Sequence, residues 1–220
     1  MNLDFDLQVA WDSLPLLWKG LQVTLRATFM GIALAAVLGL GLAILRRSES
    51  RFISWPTAWF VEFVRSTPLL VQLYVLYFTL PGFGIRLDAF TTGFIGLGVH
   101  YAAYMSEVYR AGIESVPRGQ WEASTALNLS PVSTWGRVVL PQAVPVVIPA
   151  LGNYLISMFK DAPLLTAITV VELLGEARAI GSRTFNYTEP ITMVGLIFLA
   201  ISIPASIFVR QLEVRLARRF

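Results

Sequence analysis

The sequence contains no cysteine, so neither a disulfide framework nor a thiolate metal site is open to it. Its single histidine, His100, is too few for a His-rich metal site, and no metal or cofactor is expected in the chain. Charge is scarce as well. Asp, Glu, Lys and Arg make up 14% of the 220 residues, against roughly 25% in ordinary globular chains. That little charge does not cover the surface of a water-soluble fold of this size, and 55% of the residues are hydrophobic. A bilayer is the solvent such a composition suits. Catalytic signatures are missing too: there is no G-x-x-x-x-G-K-[ST] phosphate loop and no H-E-x-x-H pair, so the chain is not read as an enzyme. The net charge of +3 sits at the ends of apolar runs rather than in a basic stripe, which argues against nucleic acid. Met1 to Trp18 carries Asp4, Asp6 and Asp12 and no basic residue. A secretory signal starts basic, so the first span is expected to stay in the mature protein.

What is present is a series of long apolar runs. A helix needs about 20 such residues to cross the hydrocarbon layer. Ala27–Leu45, Ser66–Ile85, Val138–Phe159 and Pro190–Val209 suffice or nearly so, and Ala89–Ser106, which holds His100, is slightly shorter. The expectation is an all-α integral membrane protein with about five transmembrane helices, one domain over residues 1–220. The shorter piece Ala162–Val171 either extends the fourth span or forms a re-entrant or interfacial segment. With the N-terminus outside, eleven of the seventeen basic residues, from Arg46 and Arg47 to Arg218 and Arg219, fall on the inner side. Cytoplasmic loops attract Lys and Arg, so this orientation is favoured; it puts the C-terminus and residues 114–137 in the cytoplasm.

Some spans carry patterns. Gly31, Ala35, Gly39 and Ala43 recur every fourth residue, a small-residue face for close helix approach, within the chain or between copies. Pro141, Pro145 and Pro149 share that spacing and read either as benign kinks or as a bent helix lining a path. Glu62 with Arg65 and Glu107 with Arg110 lie one turn apart and read as structural pairs. Lys160 and Asp161 adjoin an apolar span, where charge is costly and usually functional or paired. They are either a local interfacial pair or a gate for a zwitterion, which needs one partner of each sign. His100 reads as a packing histidine rather than a proton relay. Asn153, Gln72 and Tyr154 are candidates to line a path.

The polar stretch at about 114–141 has its own structure. Pro117 and Gly119 punctuate it, and Gln120–Leu129 reads as a short helix. Trp121 offers apolar surface, and Ala123, Ser124 and Ala126 are small enough for close approach. Asn128 sits where a helix ends left-handed. Ser130-Pro131 reads as an N-cap with Pro at the first helical position, opening a second short helix towards Leu140. Such a pair is either a docking element or an ordinary interfacial loop.

The segment "EASTALNLSPVSTWGRVVLP" resembles the EAA loop of ABC importer permeases. "FVRSTPLLVQLYVLYFTLP" at 63–81, "YAAYMSEVYRAGIESVPRGQWEA" at 101–123, "LPQAVPVVIPALGNYLISMFKD" at 140–161 and "VEL" at 171–173 are similar to the polar amino-acid permeases, the histidine, glutamine, glutamate, arginine and opine group. The resemblance covers nearly the whole chain. It implies a type I importer fold in the bacterial inner membrane. Two permease chains, alike or different, would enclose a path, cytoplasmic ATPase subunits holding the ATP and Mg would bind their loops, and an external binding protein would deliver a polar amino acid or related zwitterion. Carried onto this chain, the ATPase-coupling loop is Glu122, Ala123, Ser124, Ala126, Asn128, Leu140 and Pro141, flanked by Arg118 and Arg137. The chain departs from the pattern at Asn128, where the loop usually has Gly, and at Ser124, usually Ala. It also reads Lys160-Asp161-Ala162-Pro163-Leu164 where the group often reads K-D-T-S-L, so a compatible solute of the ectoine type fits at least as well as an amino acid. The rival classes are an ion-coupled secondary transporter, which would carry carboxylates near the bilayer midplane, and a membrane anchor for an ATPase.

Overall fold

The computed structural model describes residues 5–217; Asp4, Arg218 and Arg219 lie outside the described residues. Nine α-helices account for most of that stretch, and no strand occurs among the described residues. The first, α1 (Leu7–Arg46), starts where the Asp6 carboxylate accepts from the Gln8 and Val9 amides at 2.8 and 3.4 Å, a cap for otherwise orphaned donors. At 40 residues it is about 60 Å long, far more than a bilayer core requires. The expected run from Ala27 is its second half. The first half, with Lys19 and Arg26, is helix that hydropathy alone did not separate from loop.

The run Ser66–Ile85 is not one helix, contrary to expectation. Pro68 pushes Thr67 into extended backbone (φ −110°, ψ 139°), as the residue before proline prefers. There α2 (Arg51–Ser66) turns by 105° into α3. The third helix begins at Leu69 and runs through Tyr74, a π-helical turn at Val75–Thr79 and a tight 3₁₀ turn at Leu80–Phe83. Gln72 braces the elbow: its Nε2 donates to Val64 O at 2.7 Å and lies 2.7 Å from Thr67 Oγ1, supplying a donor to a carbonyl that the broken helix strands.

Helix α4 (Ala89–Glu114) is capped by Asp88, which accepts from Thr91 N at 3.0 Å. Hydrogen bonds from the Thr91 side chain and amide hold that exposed carboxyl below its ordinary range. After α5 (Arg118–Ala126) and α6 (Pro131–Thr134), a π-helical turn at Trp135–Val139 leads without a break into α7 (Leu140–Asp161). A 3₁₀ segment, Ala162–Ile168, continues it until Thr169 turns left-handed at φ 70°. Of the piece left open in the sequence, Ala162–Ile168 thus extends the fourth run and Thr169–Val171 does not. Two helices close the chain, α8 (Leu173–Thr184) and α9 (Thr188–Ala217). The eighth is half polar, with Arg178 and Arg183, and was not expected.

Among the described residues three helices are long and apolar enough to cross a membrane: Leu7–Arg46, Pro131–Ile168 and Thr188–Leu216; the bent pair α2–α3 makes a fourth if counted as one span. The expected fifth is α4, which packs at the centre against α1 and α7 and carries polar groups along a buried length. Its contact with α1 uses the small-residue face. Gly31, Ala35, Gly39 and Ala43 are all buried, and a Cβ on Gly39 would stand 2.9 Å from Ala102 O on α4. The stripe therefore serves packing within the chain. Lipid tails are as apolar as leucine, so such close fit, rather than hydrophobic burial, holds membrane helices together. The core at this junction comprises Leu73, Leu97, Tyr101, Met105, Met158, Leu165 and Ile168.

Candidate functional site: a central cavity and a helical loop

Where α4 and α7 face each other, the core opens into a cavity of about 340 Å³ lined by His100, Tyr101, Tyr104, Tyr154, Ser157, Lys160 and Asp161. The α4 residues recur at i, i+1 and i+4 and the α7 residues at i, i+3, i+6 and i+7, so each set shares one helix face. Three tyrosines form the wall, with ring centroids 5.9 Å apart for Tyr101–Tyr154 and again for Tyr104–Tyr154. His100 packs on Tyr104 at 5.1 Å, and its Nδ1 meets Gln72 Oε1 at 3.1 Å. One ring nitrogen of this histidine is thus satisfied within the fold.

Lys160 and Asp161 both border this cavity, yet they do not pair with each other. Asp161 Oδ2 accepts from the Tyr101 hydroxyl at 2.6 Å. Lys160 is exposed and forms no ion pair among the described residues. The arrangement is a carboxylate held by a phenol, a free ammonium beside it and aromatic faces around both. It can take a ligand's ammonium on Asp161, its carboxylate on Lys160 and apolar or cationic bulk against the rings. Tyr154 lines this cavity. Gln72 stands behind His100 instead. Asn153 opens on a separate cleft of about 580 Å³ beside the start of the 114–141 loop, with Pro145, Pro149, Gln142 and Glu213, so two of the three spaced prolines line a cavity.

The expected structural pairs are parts of one cluster. Glu107 is bonded by Arg46 and by Arg110, whose Nε and Nη2 lie 2.9 and 2.7 Å from Oε2. Arg65 approaches at 3.5 Å and also stands 3.6 Å from Glu62. One carboxylate thereby ties the ends of α1 and α2 to α4. Sequence spacing shows only the Glu107–Arg110 contact, because Arg46 is 61 residues away.

The loop at 114–141 has the shape its residue types imply. Its first helix occupies Arg118–Ala126 rather than Gln120–Leu129. Asn128 takes φ 50°, Leu129 N reaches Ser124 O and Asn128 N reaches Thr125 O, both at 3.0 Å. These are the two bonds of a Schellman end, with Asn in the position glycine usually fills. Ser130 Oγ accepts from Ser133 N at 3.3 Å, with Pro131 at the first helical position. The second helix, α6, runs on through the π-helical turn at Trp135–Val139 into α7. Trp121 packs edge-on against Trp135 with centroids 5.5 Å apart, which closes the two arms on each other. Glu122, Ala123 and Ala126 are exposed, with Leu127 and Val132 beside them, whereas Ser124 is buried and bonds Gln120 O at 2.8 Å. Arg118 Nε reaches Glu122 at 3.0 Å. Leu140 and Pro141 are exposed at the base, and so is Arg137.

The chain is thus a helical bundle with three or four stretches long and apolar enough to cross a membrane, a charged, aromatic cavity between α4 and α7 and an ordered polar loop. The family described as "Binding-protein-dependent transport system inner membrane component" matches residues 16–218, and the chain belongs to it. It is 50% identical, over 97% of this chain and 93% of the other, to the probable amino-acid ABC transporter permease protein y4tG of Sinorhizobium fredii (strain NBRC 101917 / NGR234). It is 37% identical, over 97% and 94%, to the probable amino-acid ABC transporter permease protein YckA of Bacillus subtilis (strain 168). Among solved structures, an amino acid ABC transporter with histidines superposes with a TM-score of 0.91 at 33% identity, covering 97% of this chain and 100% of that one. The chain is a permease subunit of an ABC importer, with the type I fold that the resemblance implied.

Proposed function

We propose that this subunit passes an L-amino acid through the bacterial inner membrane, delivered by an external binding protein and driven by ATP and Mg on partner ATPase subunits. The observation that carries the substrate class is the cavity, where Lys160 and Asp161 stand side by side without neutralising each other. A zwitterion satisfies both signs at once. Neither charge has an ion-pair partner among the described residues, and charge beside an apolar span is usually functional or paired, so the two suit a ligand that carries both opposites. The amino-acid permeases among the relatives support this class. Ala162, where the group often has a hydroxyl, is fully buried, and neither it nor Pro163 lines the cavity; the missing hydroxyls are therefore no argument against an amino acid. A compatible solute of the ectoine type bears the same pair of charges and is the competitor to test.

In this reading α4 is the fifth span, the N-terminus is outside and the C-terminus cytoplasmic, and a second permease chain completes the path. The ATPase docks on Glu122, Ala123 and Ala126, with Asn128 setting the angle between the arms and Leu140 and Pro141 at their root. The test is uptake of labelled L-amino acids and ectoine into vesicles holding the complete importer, with proton and sodium gradients collapsed. Uptake that persists and stops without ATP supports the proposal. Uptake that follows an ion gradient instead would make the chain a secondary transporter, and ATP binding with no solute movement would make it an anchor. A fall in uptake with Asp161→Asn in the assembled importer supports the cavity assignment, and unchanged rate and selectivity in that variant would remove the cavity from the path.

A further inference from the structure

Glu172 is fully buried, and no basic side chain forms an ion pair with it among the described residues. Its two oxygens stand within hydrogen-bond reach of four donors from three parts of the fold. Oε1 accepts from the Thr166 hydroxyl at 2.5 Å and from Gly175 N at 2.9 Å. Oε2 accepts from Leu174 N at 3.0 Å and lies 3.3 Å from Thr24 Oγ1, whose one proton is shared with Gly20 O at 3.2 Å. Thr24 Oγ1 in turn receives Leu173 N at 3.1 Å. Two of the four donors are the orphan amides of the α8 N-terminus, which an ordinary cap would serve. The other two belong to α1 and to the 3₁₀ segment after α7. The backbone joint is equally close: a Cβ on Gly20 of α1 would lie 2.9 Å from Glu172 O.

The segment that Thr166 belongs to starts at the residue after Asp161. It is pinned at its far end as well, where Thr169 Oγ1 meets Tyr77 OH of α3 at 3.0 Å. Asp161 is held from the opposite side by Tyr101. The carboxylate in the cavity is therefore suspended between two anchors, and the outer one closes on Glu172.

We propose that Glu172 is a positioning residue for the central cavity, acting through Thr166 to hold the Ala162–Ile168 segment and with it the placement of Lys160 and Asp161. The chemistry demands an acceptor-only group. A carboxylate can take all four donors, whereas the isosteric amide of Gln would set its NH₂ against Gly175 N–H or Leu174 N–H, whichever way it turned. This assignment rests on the cavity being the substrate's, but it can be tested without a substrate.

The chain has no cysteine, so Ser157→Cys places one thiol in the cavity wall. In the assembled importer its modification by cationic aminoethyl- and anionic sulfonatoethyl-methanethiosulfonate is followed on this chain by mass spectrometry. The ratio of the two rates reports the charge beside the thiol, and Asp161→Asn sets the size of the change when the carboxylate is gone. Glu172→Gln and Thr166→Val are each expected to move the ratio towards that value, by about fivefold for a unit charge displaced by a few ångströms. A general loss of stability would lower yield and leave the ratio in assembled protein unchanged. Ratios within about twofold of the starting protein in assembled material, a change too small for a displaced unit charge, would overturn the proposal. If Glu172→Gln does not assemble, Thr166→Val decides on the same criterion. Normal transport by Asp161→Asn together with a shifted ratio in Glu172→Gln would defeat the cavity reading alone. Abolished transport with unmoved ratios would defeat the positioning role alone.

Discussion

Substituting Gly39 with alanine adds one methyl group where α1 crosses α4. The new Cβ would lie 2.9 Å from Ala102 O, 3.0 Å from Met105 Cβ and 3.3 Å from Ser106 N. Two of those atoms are backbone, so relief requires α4 itself to shift. Forcing a methyl into a packed interface costs about 1–3 kcal/mol, offset in part by about 0.5–1 kcal/mol because alanine favours helix over glycine. The net expectation is a loss of roughly 0.5–2 kcal/mol. Two control substitutions sit on the same helix. At Gly41 nothing lies within 4 Å of the added atom, so Gly41→Ala keeps only the propensity gain. At Gly31 the nearest atom, at 2.9 Å, is Met158 Sδ, part of a flexible side chain that can swing aside, so Gly31→Ala falls between. The assay is the thermal midpoint of the purified complex. For a chain this size 1 kcal/mol corresponds to roughly 2–4 °C, so Gly39→Ala should unfold a few degrees early and Gly41→Ala no earlier than the parent. Equal midpoints for the two, or a lower one for Gly41→Ala, would refute the claim that backbone approach at Gly39 holds α1 to α4.

Tyr101→Phe removes the donor to Asp161 and nothing else, so ATP-driven uptake should drop by about tenfold with assembly intact, the scale of one hydrogen bond to a charged group; unchanged uptake would argue against that bond. Glu107→Gln leaves Arg46 and Arg110 facing an amide, and the thermal midpoint should fall by several degrees, in line with about 1–3 kcal/mol for stranded partners. Asn128→Gly should keep ATPase co-purification at or above the parent level. Asn128→Val puts a β-branched residue at φ 50°, costs roughly 1–2 kcal/mol and should weaken co-purification.

Features governed by neighbouring residues were legible in the sequence. Asn128 followed by Ser130-Pro131 encodes a left-handed stop and a capped start through local chemistry alone, and both occur. The four-residue spacing of Gly31, Ala35, Gly39 and Ala43 likewise implies one packed face. Hydropathy is blind to backbone direction, which is why Ser66–Ile85 read as a single span although Thr67-Pro68 turns the chain inside it. It is also blind to amphipathic helices: Lys19, Arg26, Arg178 and Arg183 made α8 and the first half of α1 look like loop. The cavity was half legible. Lys160 and Asp161 announced themselves as misplaced charges, but whether they would neutralise each other depended on Tyr101, 60 residues away. Glu172 gave no local signal, because its donors Thr24 and Thr166 meet it only in the folded chain.

From Pro131 to Asp161 the chain is helical without interruption, so the loop that protrudes from the bundle and the charges at its centre are two ends of one lever roughly 46 Å long, at 1.5 Å per residue. A lever that long magnifies small angles: a tilt of about 5° displaces one end by about 4 Å relative to the other, enough to separate Asp161 from the Tyr101 hydroxyl. Alternating access would then need no refolding within the path, and the stroke length would be set by how far the π-helical turn at Trp135–Val139 and the gaps in hydrogen bonding at Pro145 and Pro149 let that lever flex.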